Sequence, residues 1–144
     1  MDELAKAAET FRAALENTPR AKLPIGLQAF PTGACGDTVD LLGYYLKAQG
    51  FGRFNYVSGE GWDDNGEWYS HAWLRQDNVI VDITADQIPG NAPVIVTDAS
   101  PWHDGLEGKV LHEADFHVYD SYTVSTLAEA YAVAMETLEG MKAG

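Results

Sequence analysis

The stretch SHAWLRQDNVIVDIT, residues 70–84, limits the folds open to this chain more than any other. Two runs rich in β-branched and aromatic residues flank a polar centre, RQDN, which is the pattern of a β-hairpin. A two-residue turn at Gln76 and Asp77 pairs Leu74 with Val79, Ala72 with Val81 and His71 with Asp82. Directly opposed residues share a face, with Cβ atoms ~4.5–5.5 Å apart. One face then carries Ala72, Leu74, Val79, Val81 and Ile83, an apolar surface suited to a core. The other face carries His71 and Asp82 at a spacing that lets a carboxylate hold an imidazole N–H.

The hairpin sits in a frame of changing periodicity. Residues 2–17 place Leu4, Ala8, Phe11 and Leu15 at helical spacing, and Pro19 closes that helix. A connector rich in proline and glycine, TPRAKLPIGLQAFPTG, leads to a second helix expected from Cys35 to Gln49. Val39, Leu42 and Leu46 form its stripe, and Gly50 is its natural stop. RFNYVS, APVIVT and KVLHEADFHVY supply further strands around the hairpin. Thr126 and Glu129 fit a capping box opening a last helix, with Leu127, Tyr131, Met135 and Leu138 on one face. No internal repeat or linker interrupts residues 1–144, so a single α+β domain is expected: N-terminal helices, an antiparallel β-sheet and a closing C-terminal helix.

Composition narrows the functional classes. A formal net charge of −13 repels phosphate backbones and argues against a nucleic-acid partner. The same acidity serves solubility and suits a basic substrate. No apolar run approaches the ~18 residues of a membrane helix, so no membrane partner is expected. The start, MDELAKAAET, lacks the basic and apolar regions of a signal peptide, and a cytoplasmic protein is expected. The one cysteine, Cys35, has no partner for an internal disulfide, which fits a reducing compartment.

Cys35 opens a helix, where partial positive charge and free N–H groups favour a thiolate and an oxyanion. Gly33, Ala34 and Gly36 around it allow a substrate backbone close approach. An imidazole held by a carboxylate can activate such a thiol, so Cys35, His71 and Asp82 together have the makings of a nucleophilic triad. The loops GEGWDDNGEWYS, with Trp62 and Trp68, and ASPWHDG, with Trp102 and His103, are expected to rim the cleft. His112, Asp115 and His117 fit no zinc signature, and no metal or cofactor is expected.

Cys35 opening its helix, Gly50 ending it, YVSG at 56–59, HAW at 71–73 and VDIT at 81–84 resemble the transglutaminase-like core of the papain-like cysteine superfamily. The resemblance covers roughly residues 28–84. It implies Cys35 as nucleophile, His71 as general base and acid, and Asp82 as the residue orienting His71. Gln28 stands near the position of an oxyanion-hole glutamine, and Trp73 shares the face of His71. The chain has no calcium loop, since DDNGE at 63–67 is too short, and calcium dependence does not carry over. The implied chemistry is attack on an amide of a protein or peptide through a thioester. Hydrolysis of a peptide or glutamine amide is favoured over amine transfer, because water needs no second binding site. A non-catalytic binding or inhibitor domain on the same scaffold, and an amine-accepting transglutaminase, stand as alternatives. A redox or metal role for Cys35 ranks last, since no second cysteine can resolve it.

Overall fold

The structure is a computed structural model that describes residues 1–143. Helix α1 spans Asp2–Asn17 and α2 spans Cys35–Ala48. Strands β1 (Asn55–Trp62), β2 (Trp68–Gln76), β3 (Val79–Asp82) and β4 (Ile95–Thr97) follow. A short helix α3 (Pro101–Gly105), strand β5 (Lys109–Glu113) and the long helix α4 (Ser121–Ala143) complete the chain. The five strands form one sheet in the order β4-β3-β2-β1-β5, and every pairing is antiparallel. The expected class, helices then an antiparallel sheet then a closing helix, is the one observed.

Two cores flank the sheet. Ala72, Leu74, Val81 and Ile83 face the main core, against Phe11 and Leu15 of α1, Leu42 and Leu46 of α2, and Leu127 and Leu138 of α4. The opposite face packs Val57, Trp73 and Ile80 against Leu106, just after α3. The apolar face read from the sequence is therefore the main-core face.

Helix ends follow local chemistry. Asp2 and Glu3 stand in the first turn of α1, where negative charge suits the helix dipole. At the end of α2, Gly50 takes φ +92° while the Phe51 N–H reaches back to Leu46 O. That is the left-handed stop its position in the sequence implies. Helix α4 departs from expectation. It begins at Ser121, and Asp120 caps it by accepting the Thr123 N–H at 2.9 Å. Thr126 is already inside the helix, its hydroxyl donating to Tyr122 O at 3.1 Å.

The hairpin register also differs, by two residues. The turn is at Asp77 and Asn78, with Asp77 at φ +53°, so Leu74 pairs with Val81 and Gln76 with Val79. Asp tolerates the left-handed region better than Gln, so the turn settles one step later. A shift of two preserves which side chains share a face. His71 and Asp82 become diagonal rather than direct neighbours, still within reach of a ring and a carboxylate.

Gly59 pairs with His71 across β1 and β2, and a Cβ there would lie 2.7 Å from the Leu106 carbonyl oxygen and 2.9 Å from Trp73 Cη2. That absence of a side chain lets the segment after α3 lie flat on the sheet. Replacing Gly59 by Ala is expected to destabilise the protein by about 1–3 kcal/mol, the usual cost of overpacking. Gly105→Ala, where a Cβ meets nothing within 4 Å, is expected to be neutral or slightly stabilising. Urea denaturation of the two variants beside the parent measures the contrast.

Candidate active site

Strands β2 and β3 pair only from Leu74 to Gln76 on β2. Before Leu74 no strand among the described residues covers that side of β2, and the Ala72 backbone N–H there faces Cys35 from α2. His71, three residues before the last pair, projects to the α3 side and meets Asp82 at the end of β3. Its Nε2 lies 2.6 Å from Asp82 Oδ2, with both side chains buried. Asp82 Oδ1 accepts the Thr84 N–H at 2.9 Å, so the turn that ends β3 also orients the carboxylate.

A residue the sequence assigned to an exposed rim completes this arrangement. His103, on α3, is 1 % exposed, and its Nε2 lies 2.7 Å from the same Asp82 Oδ2. Its Nδ1 faces Ser100 Oγ at 2.6 Å, and Ser100 also caps α3 by accepting the His103 N–H. The Ser-Pro of SPWHDG is a recognisable helix start, but nothing local shows which way His103 points.

Gln87 is a second residue that gains weight. It ends a short 3-10 turn, Ala85–Gln87, and its Nε2 lies 2.9 Å from His71 Nδ1 while its Oε1 accepts the Gly33 N–H at 3.3 Å. The amide thus bridges the approach to α2 and the ring. Gln87 follows Asp82 closely in the sequence, and the structure puts it on His71.

The electrostatics follow from burial and these contacts. Burial alone would raise Asp82, but the ring N–H groups of His103 and His71 hold it at about 2. Burial alone would lower His71; Asp82 and Cys35 outweigh it and raise the ring to about 9. For the half-buried Cys35 thiol, burial pushes upward, while the His71 ring, the Ala72 N–H and the Gln87 amide bring it below the ordinary thiol range. On the far side of Cys35, burial and the nearby charges of Cys35, Asp40 and Asp37 push Tyr56 up to about 12. Asp40 is pushed up to about 6, chiefly by burial, and accepts the Tyr119 hydroxyl at 2.5 Å.

The other expected site residues divide. Gly33 (φ +69°) joins the site through Gln87, and a Cβ on Gly36 would lie 3.0 Å from the Tyr56 hydroxyl. Trp73 is buried, its ring stacked 6.0 Å from His71, with its indole N–H unpartnered. Trp102 packs 5.3 Å from His71 and 4.8 Å from His103. Trp62 is exposed at the end of β1, and it lines a cleft of about 630 Å³ with Trp102, Asp63, Asp64 and Tyr69. That cleft meets the buried residues through Trp102 rather than through Cys35 itself. Gln28 is a correction: it is exposed on the connector, and its amide donates to Leu23 O at 3.0 Å, so its contacts are internal to the loop and do not include Cys35.

Among the described residues, His71, Asp82 and His103 form the one cluster with metal-ligand composition. Their N–O separations of 2.6 and 2.7 Å are those of hydrogen bonds. Metal bonds of ~2.0–2.2 Å in tetrahedral geometry would spread the ligand atoms to more than ~3 Å. No helix among the described residues is long and apolar enough to cross a membrane.

The pair His71–Asp82 ties stability to pH. Unfolded, these groups titrate near ~6.5 and ~3.9; folded, near about 9 and about 2. The raised histidine contributes fully below ~6.5 and loses its contribution as pH climbs through the folded value. The depressed carboxylate contributes fully above ~3.9 and loses its contribution as pH falls through its folded value. Asp82→Asn is expected to lose on the order of ~3 kcal/mol, most of it between about pH 4 and pH 6.5, with the difference shrinking on either side. Thermal melts of both proteins across this range check it.

Compared with known proteins, no family model, no curated protein and no solved structure matches this chain.

Proposed function

We propose that the protein is a cysteine-dependent amide hydrolase or acyltransferase, of the transglutaminase-like type its sequence resembles, acting through Cys35, His71 and Asp82. One observation carries this reading: a helix-opening thiol, a buried imidazole and a buried carboxylate come together from three separate elements, with the carboxylate on His71 Nε2. An ionised carboxylate only accepts, so His71 donates from Nε2 to Asp82, and Nδ1, beside the Gln87 amide, is the nitrogen left for the proton of Cys35. A proton passing from Sγ to Nδ1 gives a thiolate and an imidazolium, and the buried Asp82 stabilises the latter.

The chemistry then follows the general course for such a pair. The thiolate attacks the amide carbonyl carbon, and the charge moves to the oxygen. As the C–N bond breaks, Nδ1–H passes its proton to the leaving nitrogen and a thioester remains. His71 next takes a proton from water, whose oxygen attacks the thioester carbon and releases the acid and the thiol. The first N–H groups of α2, beside Gly33 and Gly36, offer donors for the oxyanion.

The proposed substrate is a peptide or protein amide, cleaved as a peptidase or as a glutamine deamidase. A formal net charge of −13, with Asp63 and Asp64 on the cleft beside Trp62 and Trp102, favours basic partners. A free thiol kept active fits a reducing, cytoplasmic setting.

Two measurements test the reading. Cys35→Ala is expected to lower turnover of a peptide library by at least ~10³-fold with an unchanged circular dichroism spectrum. Turnover that survives this change overturns it. Iodoacetamide is expected to alkylate Cys35 well below the ~8.5 of an ordinary thiol, and His71→Ala to remove that advantage. A thiol silent in both proteins marks a non-catalytic scaffold instead.

A further inference from the structure

Asp82 Oδ2 faces two imidazole nitrogens, His71 Nε2 at 2.6 Å and His103 Nε2 at 2.7 Å. A nucleophilic triad needs only the first. The second comes from α3, some twenty residues later in the chain, and is as deeply buried. Because the carboxylate is an acceptor only, each ring donates an N–H to it. His103 must then hold its proton on Nε2 and accept at Nδ1. Ser100 meets that need: its oxygen accepts the His103 backbone N–H at 3.3 Å, leaving its own hydroxyl proton for Nδ1 at 2.6 Å. Every polar atom of the His103 ring then has a partner. Trp73 and Trp102 pack on the ring at 4.9 and 4.8 Å and hold its plane.

We propose that His103 is a positioning residue of the site, a second clamp that holds the Asp82 carboxylate ionised and turned toward His71, with Ser100 selecting the tautomer that lets it do so. The inference rests on the catalytic reading of Cys35. With His103 gone, a buried carboxylate loses one of its three close donors and its hold on a single orientation. His71 then loses its fixed partner, and the Cys35 thiolate loses its imidazolium. The single histidine–carboxylate contact would suffice for a triad built on a rigid pair. Here β3 ends at Asp82, so the carboxylate stands at the end of its ladder and is fixed by what surrounds it.

The test reads the pH dependence of iodoacetamide alkylation at Cys35 in the full chain. The groups that set this profile are His71 from β2, Gln87 from the 3-10 turn, and Tyr56 with Asp37 and Asp40 on the far side. None of these contributors is altered by the substitutions. His103→Leu, folded by circular dichroism, is expected to raise the midpoint toward ~8.5 and slow alkylation at neutral pH by about tenfold. His103→Gln, whose Nε2 can still donate to Asp82, is expected to stay within about twofold of the parent. A His103→Leu midpoint that is unchanged or lower overturns the proposal, as does a His103→Gln midpoint shifted as far as that of His103→Leu. Should His103→Leu fail to fold, Ser100→Ala decides: a midpoint raised in the same sense supports the clamp, and an unchanged one overturns it. A parent whose thiol titrates as an ordinary cysteine defeats the catalytic reading and this inference with it. An activated parent with an indifferent His103→Leu defeats this inference alone.

Discussion

The buried charge of Asp82 is the constraint around which the site is organised. A carboxylate 1 % exposed cannot be ionised without donors. Its donors come from three places: His71 on β2, His103 on α3 and the Thr84 backbone after β3. Each of those segments must hold its position for the charge to persist. Losing one partner of a buried ion pair typically costs ~3–5 kcal/mol, far more than a surface pair contributes. Asp82 therefore couples the sheet, the crossing segment and the turn into one cooperative unit. The His71 imidazole is tuned by the same carboxylate that joins these parts.

A second buried charge sets the frame on the other side. Arg12, on α1, is 7 % exposed, and its guanidinium reaches Ile83 O, Pro93 O and both oxygens of Asp86. The bidentate carboxylate contact and two carbonyls use its fork of donors nearly in full. The segment from Ile83 to Pro93 carries Thr84 and Gln87, the residues that orient Asp82 and meet His71 Nδ1. An α1 residue far in sequence thus fixes the loop on which the site leans. Neither charge would be needed for a core alone.

How much of this is legible in the sequence depends on the range of the interaction that decides it. The faces of β2 and β3 follow from alternation, which survives an error of two residues in register, and so the meeting of His71 with Asp82 was legible. The turn itself was not, because Gln76–Asp77 and Asp77–Asn78 differ only in how readily one residue accepts positive φ. The start of α4 shifted for a similar reason: Asp120 and Thr126 are both good caps, and the docking of the residues between them decides. Trp62, read as loop, is the last residue of β1, since GEGW pairs with WYSH across the hairpin. His103 and Gln87 were beyond local reading. Their roles arise from where two connections come to rest, and that is settled by Gly59, Arg12 and the tryptophans rather than by their own neighbours.

The same geometry bears on how a substrate would arrive. His71, Asp82, His103 and Trp73 are all buried, while Cys35 is only partly so. Of these five residues, Cys35 alone is partly exposed. The Asp82 charge therefore stays in a low-dielectric interior, where its interactions are strongest, and Cys35 stands at the boundary. Trp73 and Trp102 lie against the His71 ring, while Gly33 and Gly36 stand within two residues of Cys35 in the chain and Tyr56 faces it. A Cβ at Gly36 would lie 3.0 Å from the Tyr56 hydroxyl, whereas one at Gly33 would meet nothing within 4 Å. Gln87 joins the two sides, its amide between the Gly33 N–H and the His71 ring.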